Sequence, residues 1–116
     1  MKTYDIPSII ILEQSGFTDK RITQAVCHGI EEEGIPYDIE HDDELKCEKL
    51  SYKAALSSRL DVGIGISKDG GVAIHYSKLQ EENPLVLIQN FGDWEILKTI
   101  GINAARLVKG IPFKDI

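Results

Sequence analysis

The chain has 116 residues, enough for one domain with a single buried core. Its 13 basic and 19 acidic residues give a net charge of −6, and the densest basic stretch, Lys98 to Lys114, holds only four cations, which argues against nucleic acid and an anionic membrane surface as partners. Composition is that of a globular protein, 42% apolar and 28% charged, and the longest apolar run, Ile9 to Leu12, is far too short to span a bilayer.

Residues 1–7 read as a leader closed by Pro7, without the basic and apolar segments of a signal peptide. Ser8 to Glu13 is a continuous apolar run with the pattern of a strand buried on both faces. Ser15 and Gly16 break it, and Thr18 or Asp19 caps the helix that follows. In that helix Ile22, Ala25, Val26, Gly29 and Ile30 form a one-sided stripe, ended by Gly34 and Pro36. Tyr37 to His41 reads as a short strand with Ile39 inward. The polar loop of residues 41–44 leads to a second helix over roughly Leu45 to Leu60. Asp61 to Ser67 is the third strand, and Lys68-Asp69-Gly70-Gly71 signals a hairpin with a primed turn. Val72 to Ser77 returns, and a loop ending at Pro84 precedes the strand Leu85 to Gln89. The last helix begins near Asp93, with Leu97, Ile100, Ala104, Leu107 and Val108 at helical spacing, and stops at Gly110 and Pro112. This alternation is that of a single α/β domain over residues 1–116, with a mixed, mostly parallel sheet of about five strands and helices on both faces.

Few residues suggest chemistry. Gly63 and Gly65 lie inside a strand rather than between a strand and a helix N-terminus. They therefore read as seats for a helix packed on the sheet and not as a nucleotide loop. His28 on a helix flank, His41 in a polar loop and His75 in a strand make no catalytic set, and His75 reads as a hydrogen-bonded structural histidine. Cys27 and Cys47, without metal spacing, read as reduced thiols. The oddity is Glu31-Glu32-Glu33, three carboxylates in the last turn of a helix, where the macrodipole disfavours negative charge. Helical geometry points Glu31 to solvent, sets Glu33 at the end of the apolar stripe and puts Glu32 on its flank. There the small residues Ala25 and Gly29 leave room for another backbone or subunit. An exposed carboxylate of this kind is a ligand for a hard divalent cation when a partner supplies the rest. The plainer alternative is a solvated acidic helix end.

Two segments carry a resemblance. Gly29-Ile30-Glu31-Glu32-Glu33-Gly34-Ile35-Pro36-Tyr37 and the ending NAARLVKGIPF over Asn103 to Phe113 are similar to the small (beta) subunits of diol/glycerol dehydratase-reactivating factors. The chain departs from that pattern at Ile102, where the family more often has a polar residue such as Asn, and over Lys46–Leu60. The resemblance implies a three-layer, Rossmann-like domain. It also implies a partner large subunit with an actin/Hsp70-like ATPase fold, two of each chain, that carries ATP. The implied function is that of a chaperone, not an enzyme. It frees diol or glycerol dehydratase of damaged, adenosyl-lacking cobalamin, by exchange of this subunit with one of the dehydratase. It further implies that Glu32 ligates a divalent cation, Mg or Ca, shared with the large subunit. No cofactor is bound by this chain alone, and the location is cytoplasmic, with bacterial microcompartments as one setting. The competing reading is a stand-alone small-molecule-binding regulatory α/β domain, which would need a deep apolar pocket at the carboxyl ends of the parallel strands. Ile111 and Phe113, large and apolar beyond the helix stop, are expected to pack on the sheet edge or the last helix.

Overall fold

The structure, a computed structural model, describes residues 6–89 and 92–116. The leader expected over residues 1–7 lies outside the described residues except for Ile6 and Pro7, both exposed. Eight elements follow in order: β1 (Ile9–Gln14), α1 (Lys20–Glu32), β2 (Tyr37–Asp42), α2 (Cys47–Ser57), β3 (Val62–Ile66), β4 (Gly71–Tyr76), β5 (Val86–Gln89) and α3 (Trp94–Lys109). The strands form one sheet in the order β2-β1-β3-β4-β5. β1 pairs in parallel with both β2 and β3, while β4 is antiparallel to β3 and to β5, so β4 alone runs against the others. The chain is thus the mixed α/β domain that its alternating pattern predicts.

Period-two alternation sorts the side chains between two faces. Ile9, Ile11, Ile64, Ile66, Val72 and Ile74 meet Val26 and Ile30 of α1 and Leu97, Ile100 and Ala104 of α3 in the main core. Ile10 and Leu12 point to the other face and join Leu50 and Ala54 of α2. β1 contributes to both cores, which is why all six of its residues are buried.

Helix ends follow their side chains. The carboxylates of Asp19 and Asp93 accept from the backbone N–H of Arg21 and Ile96 and cap α1 and α3. α3 ends at Gly110 in the left-handed region (φ 70°), as Gly-x-Pro predicts. α2 is shorter than expected, because Leu45 is 74% exposed and lies in the preceding loop. The hairpin also differs. Only Gly70 takes a positive φ (91°), while neither Lys68 nor Asp69 does, so the turn is an ordinary one closed by a glycine and not a primed turn. Asp69 instead braces it, accepting from the Gly71 N–H at 3.0 Å and from the Ser67 hydroxyl.

Gly63 and Gly65 do seat a helix, as their place in a strand suggested. A Cβ on Gly63 would lie 2.1 Å from the Ala55 nitrogen, and one on Gly65 would lie 2.6 Å from that of Ser51. On the opposite face the glycines belong to the helices. A Cβ on Gly29 would lie 2.0 Å from the Lys98 carbonyl oxygen, and one on Gly101 would lie 1.9 Å from that of Val26. α1 and α3 therefore cross backbone against backbone. The flank of α1 that looked open to another subunit is filled by the chain's own α3. Ile102, the departure from the family pattern, is 3% exposed at this crossing.

The tail corrects one expectation. Ile111 and Phe113 are 43% and 40% exposed and are not packed away as their size suggested. The tail is held instead through its backbone. Asn103, 1% exposed, donates from Nδ2 to the Lys114 carbonyl (2.9 Å) and accepts the Lys114 N–H at Oδ1 (2.7 Å).

Candidate functional site

The acidic end of α1 does not stand alone in solvent. Glu33, the C-cap residue, receives Lys109 Nζ at 2.8 Å, with Arg106 Nε at 3.6 Å, and Lys109 also donates to the Glu33 carbonyl at 2.9 Å. α3 thus delivers the cations that the end of α1 lacks in its own sequence. The hydrogen bond from Lys109 is the main reason why the Glu33 carboxyl lies below its ordinary range. Glu32, the last residue of α1, pairs through Oε2 with Lys98, and its side chain remains half exposed. His28, Glu31, Glu32 and Lys98 enclose a shallow depression at this end of the molecule. Among the described residues no three His, Cys, Asp or Glu side chains come together to hold a metal ion. A half-exposed carboxylate beside Glu31 suits one or two ligands of a hard cation whose other ligands come from elsewhere, with Lys98 as the competing charge.

A second constellation escaped the reading of the sequence. Glu13, on β1, is buried to 1% side-chain exposure. Its Oε1 receives Lys20 Nζ and His41 Nε2, each at 2.8 Å, and its Oε2 accepts from the Thr23 hydroxyl. His41 lies within β2, which runs one residue past the expected strand end at His41, and stands opposite Glu13 in the parallel register. Burial alone would raise the Glu13 carboxyl. The hydrogen bonds from Lys20 and Thr23 and the positive charges of Lys20 and His41 outweigh it and hold the group below its ordinary range. The available signal was a carboxylate closing an apolar run, with Lys20 and Thr23 three apart on the next helix.

Beside Glu13 a groove of about 440 Å³ opens between α1 and β2, walled by Thr23, Gln24, Cys27, His28 and Glu31 on the helix and floored by Tyr37, Ile39 and His41. Ile39 was expected inward. It is 42% exposed because β2 is the edge strand, where α1 reaches Tyr37 but leaves the groove open over Ile39. Burial pushes the Cys27 thiol up to about 11 and the Tyr37 phenol up to about 12, so both remain neutral donors at physiological pH. Cys47, the other free thiol and the first residue of α2, is pushed up to about 12 by its burial against β3. At the carboxyl ends of β1 and β3, where a regulatory domain would hold its ligand, lies a recess of about 250 Å³ bounded by residues 16–19, Ile22 and Lys68. His75 is fully buried and structural, its ring nitrogens 3.0 Å from the Tyr76 and Glu81 carbonyls. No helix among the described residues is long and apolar enough to cross a membrane.

Comparison with known proteins gives a consistent picture. The family model described as dehydratase medium subunit matches residues 6–114. The chain is 40% identical over 109 residues to the propanediol dehydratase-reactivating factor small subunit of Citrobacter freundii, covering 94% of this chain and 91% of that one. It is 41% identical over 88 residues to the protein of the same name from Salmonella typhimurium, covering 76% and 75%. Among solved structures, a glycerol dehydratase reactivase superposes with a TM-score of 0.90 at 30% identity, over 94% of this chain and 97% of that chain. A diol dehydratase-reactivating factor complexed with ADP and Mg2+ superposes with a TM-score of 0.85 at 38% identity, over 94% and 98%.

Proposed function

Because the chain belongs to the dehydratase medium subunit family and, within it, to the small subunits of dehydratase-reactivating factors, we propose that it serves a chaperone-like reactivase of diol or glycerol dehydratase. In this reading the chain performs no catalysis. It joins an ATPase large subunit, two copies of each, and the pair releases damaged cobalamin from an adenosylcobalamin-dependent dehydratase. Release proceeds by exchange, with this domain taking the place of a dehydratase subunit of like shape. The complex works in the cytoplasm, and in a bacterial microcompartment where the dehydratase is so housed. The observation that carries the reading is the end-to-end match in sequence and shape to reactivase small subunits.

Glu32 is assigned to the contact with the large subunit, as one ligand of a shared Mg or Ca ion. The half-exposed carboxylate and the adjacent Glu31 support this. On this assignment the cation displaces Lys98 from Glu32 when the subunits meet. A cation there neutralises charge between the subunits, and the chain contributes oxygen donors and a rigid helix end to hold them.

The test is reactivation of dehydratase inactivated by adenosyl-lacking cobalamin. Activity should return on adding this chain, its large subunit, ATP, Mg2+ and intact cofactor, and not when either chain is omitted. Glu32→Ala should keep its fold, by circular dichroism, and bind the large subunit about tenfold more weakly, a loss that disappears when divalent cations are chelated. Glu82→Ala, at an exposed loop position, is the control. Failure of the wild-type chain to restore activity with its own large subunit would refute the reading. Equal, cation-independent affinity of Glu32→Ala would remove only the metal assignment.

A further inference from the structure

Charge is distributed unevenly in this chain. Nine of its 19 acidic residues fall within residues 31–48, which contain one Lys and no Arg, while the rest of the chain carries a small excess of base. In space these residues are the end of α1, strand β2, the loop after it and the start of α2, so the groove between α1 and β2 lies within the acidic region. Its interior is of a different character. Ile39 and Tyr37 form an apolar floor, Cys27 forms part of the wall, and the groove is closed at one end by Glu31 and at the other by the Glu13 cluster. Both oxygens of Glu13 are engaged, so that end offers no free anion. Glu31 is exposed and accepts from the Tyr37 phenol, which leaves further acceptor positions on its carboxylate.

An apolar trough that ends in an exposed carboxylate fits an amphipathic cation, whose aliphatic stem lies on apolar surface while its head reaches a negative group. We propose that the α1–β2 groove is a docking site for a Lys- or Arg-bearing segment of the large subunit, its aliphatic stem on Ile39 and Tyr37 and its cationic head at Glu31. The inference rests on the reactivase reading and adds a second contact beside Glu32, from which it is separated by one position on α1. Complementary charge between the acidic region and such a segment would speed encounter and fix orientation, and the apolar floor would slow release. It also explains why an edge strand otherwise crowded with carboxylates keeps an exposed isoleucine at its centre.

Titration calorimetry of the purified large subunit with the full chain tests this. Relative to wild type, Ile39→Lys should weaken binding about tenfold and Glu31→Gln about threefold, since one removes the apolar seat and adds like charge and the other removes the counter-charge. Wild-type affinity should fall steeply between about 50 and 300 mM NaCl. Leu87→Lys, at an exposed position of β5 on the opposite face and the other edge, should bind as wild type does. Ile39 is already part-exposed, and thermal melts of each variant verify the fold. If Ile39→Lys and Glu31→Gln both bind within about twofold of wild type, the groove is not the docking site, and the reactivase reading is untouched. If Leu87→Lys weakens binding as much as Ile39→Lys, the groove proposal also fails. If the wild-type chain does not bind the large subunit at all, both readings fall together.

Discussion

The two faces of the sheet solve the same packing problem in opposite ways. Over one face, α2 lies directly on the strands because the glycines are in β3, at Gly63 and Gly65. Over the other, the strands carry large aliphatic residues, and the glycines are in the helices, at Gly29 and Gly101. The first arrangement draws a helix down onto the sheet, and the second draws two helices against each other. Their mutual approach leaves edge strand β2 only partly covered and brings cations of α3 to the acidic end of α1. Every residue assigned to a partner lies on the face with two helices, whose crossing is set by Gly29 and Gly101.

Breaking the helix crossing should produce the largest effect. Gly101→Ala places a methyl group 1.9 Å from a backbone oxygen that cannot move without moving α1, and a loss of about 3 kcal/mol or more is expected. This should appear as a fall in melting temperature of over about 10 °C. Gly63→Ala is the matching change on the other face. A lone helix can shift outward where a pair cannot, so a smaller loss, about 1–3 kcal/mol, is expected in the same measurement. Equal losses would mean that the second helix adds no constraint.

Next comes Asn103→Ala, which leaves two backbone groups of Lys114 without their partner. It should cost about 1–3 kcal/mol and expose the tail to carboxypeptidase. Glu13 should reveal itself through pH. Its carboxyl is depressed in the folded state, so its contribution is present above the ordinary carboxylate value of 4.5 and is lost as pH falls through the lower folded value. Glu13→Gln should flatten the decline of melting temperature below about pH 4.5 while lowering it at pH 7. The smallest effect belongs to Ile111→Ser and Phe113→Ser. Their side chains are substantially exposed, so each should change stability by less than about 1 kcal/mol.

Local chemistry was largely legible in the sequence. The caps at Asp19 and Asp93, the stop at Gly110, the glycine seats in β3 and the order of elements all follow from patterns a few residues long. What was not legible depends on partners distant in the chain. The carboxylates of α1 looked destabilising because Lys109 and Arg106, over seventy residues away, have no visible relation to Glu33 until the glycine crossing brings them together. Ile39 looked buried because an apolar residue in a strand usually is, and only the placement of the helices leaves it open. The tail misled for a related reason. Its anchor is a polar side chain acting on backbone, a bond that hydrophobic pattern does not register.

The Glu13 cluster has a consequence for how strands find their neighbours. Parallel edge strands are free to slip along one another unless something penalises the wrong alignment. Moving β2 by one residue in either direction would bring Glu40 or Asp42 opposite Glu13 in place of His41. A buried carboxylate would then face a second carboxylate and lose its imidazole partner, and the error would cost far more than the correct pairing gains. Each one-residue slip is refused by repulsion, so the chain carries a built-in check on its own assembly at this edge strand.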